Sequence, residues 1–322
     1  MYGEGQIPMP HPDSPATYAQ FRDLFPDEAA CDEWLARWRW PDGFTCPKCG
    51  VREATRITTR PLWQCHGCRH QTSVTAGTAL HRSKLPLATW LYALWLVARR
   101  KNSVSALQLQ RELGVAYRTA WLLLQKVRVT LGESPEYPLE RGVVEVDESM
   151  IGGRSGRKGR RLGEGGAWLV LAVERIVVKG KGERPPYRAS GSARAAVTTD
   201  CKAETLMNFI EANIKVGALV TSDAFPSYQR LPAGGFDHWP VVVNTPATAD
   251  IALPKTHLFF SNFKAWLIGT FHGVTGRYLP RYVNEFLYRF NRRRHDESIF
   301  GYLARRTMGA NHSSLTTMRA AC

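Results

Sequence analysis

The sequence predicts an α/β protein, a mixed sheet flanked by helices, preceded by a small cysteine-bearing β module and a helical segment. Three observations carry this. Five short β-prone runs (VVEVD, AWLVLAVE, SARAAVTT, ALVTSD and HWPVVV) follow Val143, with the helical segment AETLMNFIEANI between the third and fourth. Residues 254–269 and 277–293 then show helical period. Ahead of them all, residues 41–79 hold two CxxC pairs separated by aromatic and β-branched residues.

Taken in order, residues 17–40 place Phe21, Leu24 and Phe25, then Ala30, Trp34, Leu35 and Trp38, at helical spacing around Pro26, which predicts a short helical hairpin. Next come Cys46-Pro-Lys-Cys49-Gly, fifteen intervening residues, and Cys65-His-Gly-Cys68. Zinc favours four thiolates in a tetrahedron, and each CxxC turn brings two sulfurs to one point. Redox pairs come singly, so a structural zinc ribbon on Cys46, Cys49, Cys65 and Cys68 is the reading. His66 and His70 are the available substitutes for one thiolate, with His66 inside the second turn and expected to point away.

Residues 103–130 fit a helix-turn-helix, with Val104, Leu107 and Leu113 on the first helix, Gly114 in the turn, and Ala120, Leu123, Leu124 and Val127 inward on the second. An ordinary helical pair in a core carries the same pattern. In a DNA-binding reading Tyr117 and Arg118 enter the groove, while Gln125, Lys126 and Arg128 suit phosphates.

The sheet carries the candidate chemistry. Asp147 is expected to end its strand and Asp223 to follow its own, at the carboxyl edge where open α/β sheets form sites. Two such carboxylates can share a pair of Mg²⁺ ions that stabilise the attacking and leaving oxygens of a phosphoryl displacement. Asp at a strand end also simply begins turns. A third ligand is expected from a later helix. His257 and Lys264, seven residues apart, share a helical face, so the imidazole would complete a metal shell and the lysine would hold a phosphate. Asn262, His272 and Glu285 are the rivals for that third position.

Charge narrows the partner. The 322-residue chain holds 43 Lys and Arg against 28 Asp and Glu, a formal charge of +15 that favours phosphate backbones. Residues 150–194 concentrate it, with eleven Lys and Arg, Arg160 and Arg161 among them, against three Glu. Tyr288–Arg294 adds Arg292 and Arg293 as candidate phosphate grips. No run of about 18 apolar residues or signal core is present, and the scattered Cys31, Cys201 and Cys322 fit a reducing compartment, so a cytoplasmic, membrane-free protein is expected.

Across residues 20–294, the motifs WPDGFTCPKCG, LWQCHGCRHQTSVTAGTALH, VEVDESMIGG, SDAFPSY and RYLPRYVNEFLYRFNRR resemble those of ISXO-type bacterial insertion-sequence transposases. The resemblance implies a zinc ribbon ahead of a ribonuclease-H-like catalytic domain. It implies Asp147 and Asp223 as the first two catalytic acids and a third residue seven positions before a lysine. Lys264 marks His257 as that residue, where many relatives carry Glu or Asn. Glu148 is expected to be structural or to act behind the ligands, and Gly152-Gly153 to form a turn.

The expected organisation is a helical segment (1–40), a zinc ribbon (41–80), a helix-turn-helix region (81–135), the catalytic domain (140–300) and a tail (301–322). The expected function is metal-dependent cleavage and strand transfer on double-stranded DNA. Inverted-repeat ends and target DNA are the substrates, Mg²⁺ or Mn²⁺ serves the reaction, and the active form is a homodimer or larger. A binding-only protein and a nuclease of the same fold are the alternatives.

Overall fold

The structure is a computed structural model describing residues 14–57, 59–132, 137–152, 166–180, 185–242, 251–294 and 299–310. The chain divides into two compact units, residues 1–131 with 294–322, and residues 132–293.

The first unit begins with the predicted hairpin, α1 (Tyr18–Leu24) and α2 (Glu28–Arg39). Thr17 and Gln20 form a capping box on α1, and Asp27 caps α2 through the N–H of Ala30, so each helix starts where a side chain satisfies its free donors. Three short antiparallel strands follow, β1 (Ala54–Ile57), β2 (Leu62–Cys65) and β3 (Gln71–Thr72). Arg56 on β1 reaches the buried Asp32 of α2 at 2.6 Å, and Arg39 donates to the carbonyls of Ser73 (3.0 Å) and Ala76 (2.5 Å), which ties this module to the hairpin. Helices α3 (Leu87–Arg99), α4 (Ala106–Leu113) and α5 (Tyr117–Val129) complete the N-terminal part.

The segment read as a tail from residue 301 instead begins inside a helix, α9 (Ile299–Gly309), which packs in this first unit against α2 and α3. Phe300 stacks on Trp34 with ring centroids 5.1 Å apart, and Trp34 also meets Phe25 at 5.3 Å. Gly301 permits the approach, because a Cβ there would lie 2.8 Å from the Trp38 ring. Trp34 is 1% exposed, so Trp34→Ala should cost about 3–5 kcal/mol, read as a lowered urea midpoint. A change under about 1 kcal/mol would show that this aromatic core is not what holds the unit.

The second unit is a five-stranded sheet in the order β6-β5-β4-β7-β8. Its strands are β4 (Val143–Ile151), β5 (Ala167–Val178), β6 (Tyr187–Thr198), β7 (Leu219–Asp223) and β8 (Asp237–Val241). β4, β7 and β8 run parallel, and β5 and β6 pair antiparallel beyond β4. α6 (Ala203–Asn213) packs Leu206, Phe209 and Ile210 on one face against Val144, Val146 and Val220. α7 (Pro254–Phe271) and α8 (Leu279–Arg292) cover the other face, packing Phe259, Phe263, Val283 and Leu287 on Leu169, Leu171 and Val173. The buried β5, apolar on both faces, reads as the continuous run the sequence shows.

Candidate metal centres and acid cluster

In the ribbon all four cysteine sulfurs lie within 4.8 Å of one another. Two of the edges measure 3.5 Å (Cys49–Cys65) and 3.7 Å (Cys46–Cys68). Four sulfurs at a zinc–sulfur bond of about 2.3 Å stand about 3.8 Å apart, so the cluster fits a tetrahedral zinc ion. Desolvation pushes the Cys46 thiol up, and hydrogen bonds from the N–H groups of Lys48 and Cys49 and from the Cys49 and Cys68 side chains together bring it down to about 6. His66 pairs instead with the Thr55 hydroxyl at 2.7 Å, turned out to solvent. Phe44, Trp40 and Trp63 pack around Cys46 and Cys65 as the module's small apolar core.

The helical region resolves the next set of expectations. Ser105 and Gln108 form a capping box on α4, and Gly114 ends it at φ 64°, a left-handed position that glycine takes without strain. Tyr117 and Arg118 are exposed on the first turn of α5, and Ala120, Leu123, Leu124 and Val127 are buried. Leu107 on α4 is 48% exposed, and Leu109 is the buried residue of that helix. Lys126 does not take the phosphate-facing position expected from the sequence. It is buried, its ammonium donates to the carbonyl of Ala79 at 2.8 Å, and burial lowers its pKa, so it is turned inward and not toward a phosphate. Gln125 and Arg128 are buried as well, because α5 is covered on most of its circumference.

In the sheet unit, β4 runs through to Ile151, so Asp147 lies in mid-strand and does not end it. The edge is still there. Parallel pairing of β4 with β7 stops at Glu145 opposite Thr221, while antiparallel pairing with β5 continues to Ile151. Carried two residues past that last pair, the same register would set Asp223, the last residue of β7, opposite Asp147. Asp223 accepts from the N–H of Phe225 at 3.3 Å, across Ala224 at φ 31°, a strained setting for a residue with a Cβ.

Helix α7 supplies the third group. His257 Nε2 lies 3.4 Å from Asp147 Oδ2, and Lys264, two turns on, donates to the hydroxyl of Ser149 at 2.8 Å. Asp147 and Ser149 alternate onto the same face of β4, so one helix face meets one strand face. Burial lowers the Lys264 pKa and the Asp147 charge opposes that shift. Among the rivals, Asn262 is exposed and His272 caps the far end of α7, fifteen residues on and about 22 Å along the axis. Glu285 is buried in α8.

Two further groups, Tyr228 and Glu145, escaped sequence reading. Glu148, on the opposite face of β4, accepts from the Tyr228 hydroxyl at 2.6 Å, which pins the turn after Asp223. Burial raises Tyr228 well above its ordinary pKa, with the charges of Glu148, Asp147 and Asp223 adding to it. Glu145, fully buried, accepts the N–H groups of Lys255 and Thr256 at the start of α7. Burial raises its carboxyl, opposed by those N–H groups and by Arg175. The one available signal was an acid in an otherwise apolar run, two residues before Asp147.

Arg292 lies 4.2 Å over the Tyr288 ring, and Arg293 donates to the carbonyls of Ser190, Gly191 and Phe290. Both arginines therefore make contacts within the sheet unit. Arg160 and Arg161 lie outside the described residues.

A ribbon built on four cysteines and a mixed α/β sheet presenting carboxylates beside a histidine define a zinc-ribbon protein with an acid-bearing sheet domain. Comparison with known families makes this specific. Residues 140–291 match the ISXO2-like transposase domain and residues 26–71 the transposase zinc-ribbon domain, so the chain carries two domains typical of insertion-sequence transposases. It is also 30% identical over 139 residues to an uncharacterized protein in transposable element ISH50 of Halobacterium salinarum. That match covers 42% of this chain and 45% of the relative, about half of its length. No helix among the described residues is long and apolar enough to cross a membrane.

Proposed function

We propose that the chain is a DNA transposase that binds the terminal inverted repeats of its element, cuts at the ends and joins the freed 3′ hydroxyl to target DNA. The observation that carries this reading is the approach of His257 to Asp147 at 3.4 Å, with Asp223 at the end of the neighbouring parallel strand. The strand order, with the first strand central, the second and third antiparallel beyond it and the last two parallel on its other side, supports a ribonuclease-H-like fold. The ribbon, with the helix-turn-helix of α4 and α5, is assigned to end recognition through Tyr117 and Arg118. Arg160, Arg161, Arg292 and Arg293 are assigned to backbone contacts.

Two carboxylates suit divalent ions such as Mg²⁺ or Mn²⁺, and the imidazole, a softer donor than oxygen, tilts the set toward Mn²⁺. When bound, two such ions activate the attacking oxygen and neutralise charge on the leaving one. Asp147, Asp223 and His257 would hold them. Lys264, on the same helix face, places an ammonium toward the phosphate, and Ser149 fixes its direction. Both chemical steps use the same residues, first with water and then with the 3′ hydroxyl as nucleophile. Two ends must be processed together, so the active form is a dimer or larger, working on bacterial DNA in the cytoplasm.

Strand transfer tests this. A labelled inverted-repeat end, a supercoiled target plasmid and Mg²⁺ or Mn²⁺ should give a covalently joined product. Cleavage without joining would favour the nuclease. Specific binding without either step would favour a binding-only protein.

A further inference from the structure

Glu145 sits two residues before Asp147 on β4, faces α7, and is fully buried. Its Oε2 accepts the N–H of Lys255 at 2.7 Å and of Thr256 at 3.1 Å. Its Oε1 accepts from Arg175 on β5 at 3.2 Å, and the same Arg175 nitrogen lies 3.4 Å from the carbonyl of Ala252 just ahead of the helix. No side chain of α7's own N-cap residue, Leu253, caps the helix. The capping acceptor therefore comes from the strand. A carboxylate that takes two of the free N–H groups of a first turn fixes both the position and the direction of the helix. His257 follows Thr256 directly, so the ring that meets Asp147 hangs one residue from the clamp.

We propose that Glu145, held by Arg175, is a positioning residue that sets the distance between His257 and Asp147 and so preforms the metal site. The proposal rests on the reading of Asp147 and His257 as metal-holding groups. A ring on a helix with a loose first turn would be misplaced by an ångström or more, and supports behind metal ligands typically govern affinity by about 10–100-fold. Glu174 offers a built-in comparison. It too is a buried carboxylate, accepting the N–H groups of Glu140, Arg141 and Ser192, and none of these lies on α7.

The test uses the full chain without DNA, with Mn²⁺ as the probe. Free Mn²⁺ is followed by electron paramagnetic resonance, and hydrogen exchange is followed in the peptide spanning residues 253–258. Glu145→Ala should lose protection in that peptide and bind Mn²⁺ about 10–100-fold more weakly. Glu145→Gln keeps one acceptor oxygen for the two N–H groups and should fall between it and wild type; it gives the answer if the alanine variant does not fold. Glu174→Gln should leave both readouts at wild-type values. The proposal is overturned if Glu145→Ala or Glu145→Gln matches wild type in exchange, or if Glu174→Gln weakens Mn²⁺ binding as much. If wild type binds no Mn²⁺, or Asp147→Asn binds it equally well, the metal-site reading fails, and exchange alone still decides the clamp.

Discussion

Asp147→Asn is expected to lower both cleavage and strand transfer by about 10³-fold or more, the scale seen when a group acting on developing charge is removed. Asparagine has the shape of aspartate and keeps an oxygen for the N–H of Glu148, which the native carboxylate accepts at 2.8 Å. The fold should therefore survive, and circular dichroism melting should shift by no more than a few degrees. What is lost is the negative charge beside His257, which the proposed reaction needs and the fold does not. Kinetics of end joining with a labelled inverted-repeat substrate decide it. A variant within tenfold of wild type would remove Asp147 from the machinery and with it the case for this site.

Zinc removal carries the second large effect. The ribbon has three strands of four, four and two residues, and a core centred on Phe44, Cys46 and Cys65. Such a sheet is too small to stand on its own, and a structural zinc contributes on the order of 10–16 kcal/mol. Chelation should therefore expose residues 44–72 to rapid hydrogen exchange and abolish specific binding to inverted-repeat DNA, while β4, β5 and β7 stay protected. Unchanged protection in residues 44–72 after atomic absorption has shown the metal gone would sink the assignment.

Much of this architecture is visible in the sequence, because it depends on local period and spacing. The five strands, the helix between the third and fourth, and the two CxxC turns each sit within about a dozen residues of their own signal. The seven-residue step from His257 to Lys264 likewise fixes a shared face before any fold is known. What the sequence hides is set by distant neighbours. Lys126 looks like a surface cation until α3 and the Ala79 carbonyl enclose it. Asp147 looks like a strand end because polar residues follow it, yet β5 keeps pairing with β4 as far as Ile151. Glu145 reads as a stray acid because its partners, Arg175 and the start of α7, lie 30 and 110 residues away.

Helix α9 also dictates an order of events during synthesis. Phe300 completes the aromatic cluster around Trp34, so the hairpin of α1 and α2 lacks a wall of its core until residues 299–310 leave the ribosome. At about 5–20 residues per second, the stretch from residue 131 to 299 takes on the order of ten seconds to translate. The sheet unit, continuous in the chain, can close in that interval, and the unit assigned to finding DNA ends is the last to be finished. A polypeptide released before residue 299 would thus carry Asp147, Asp223 and His257 on a folded sheet beside an unfinished recognition unit.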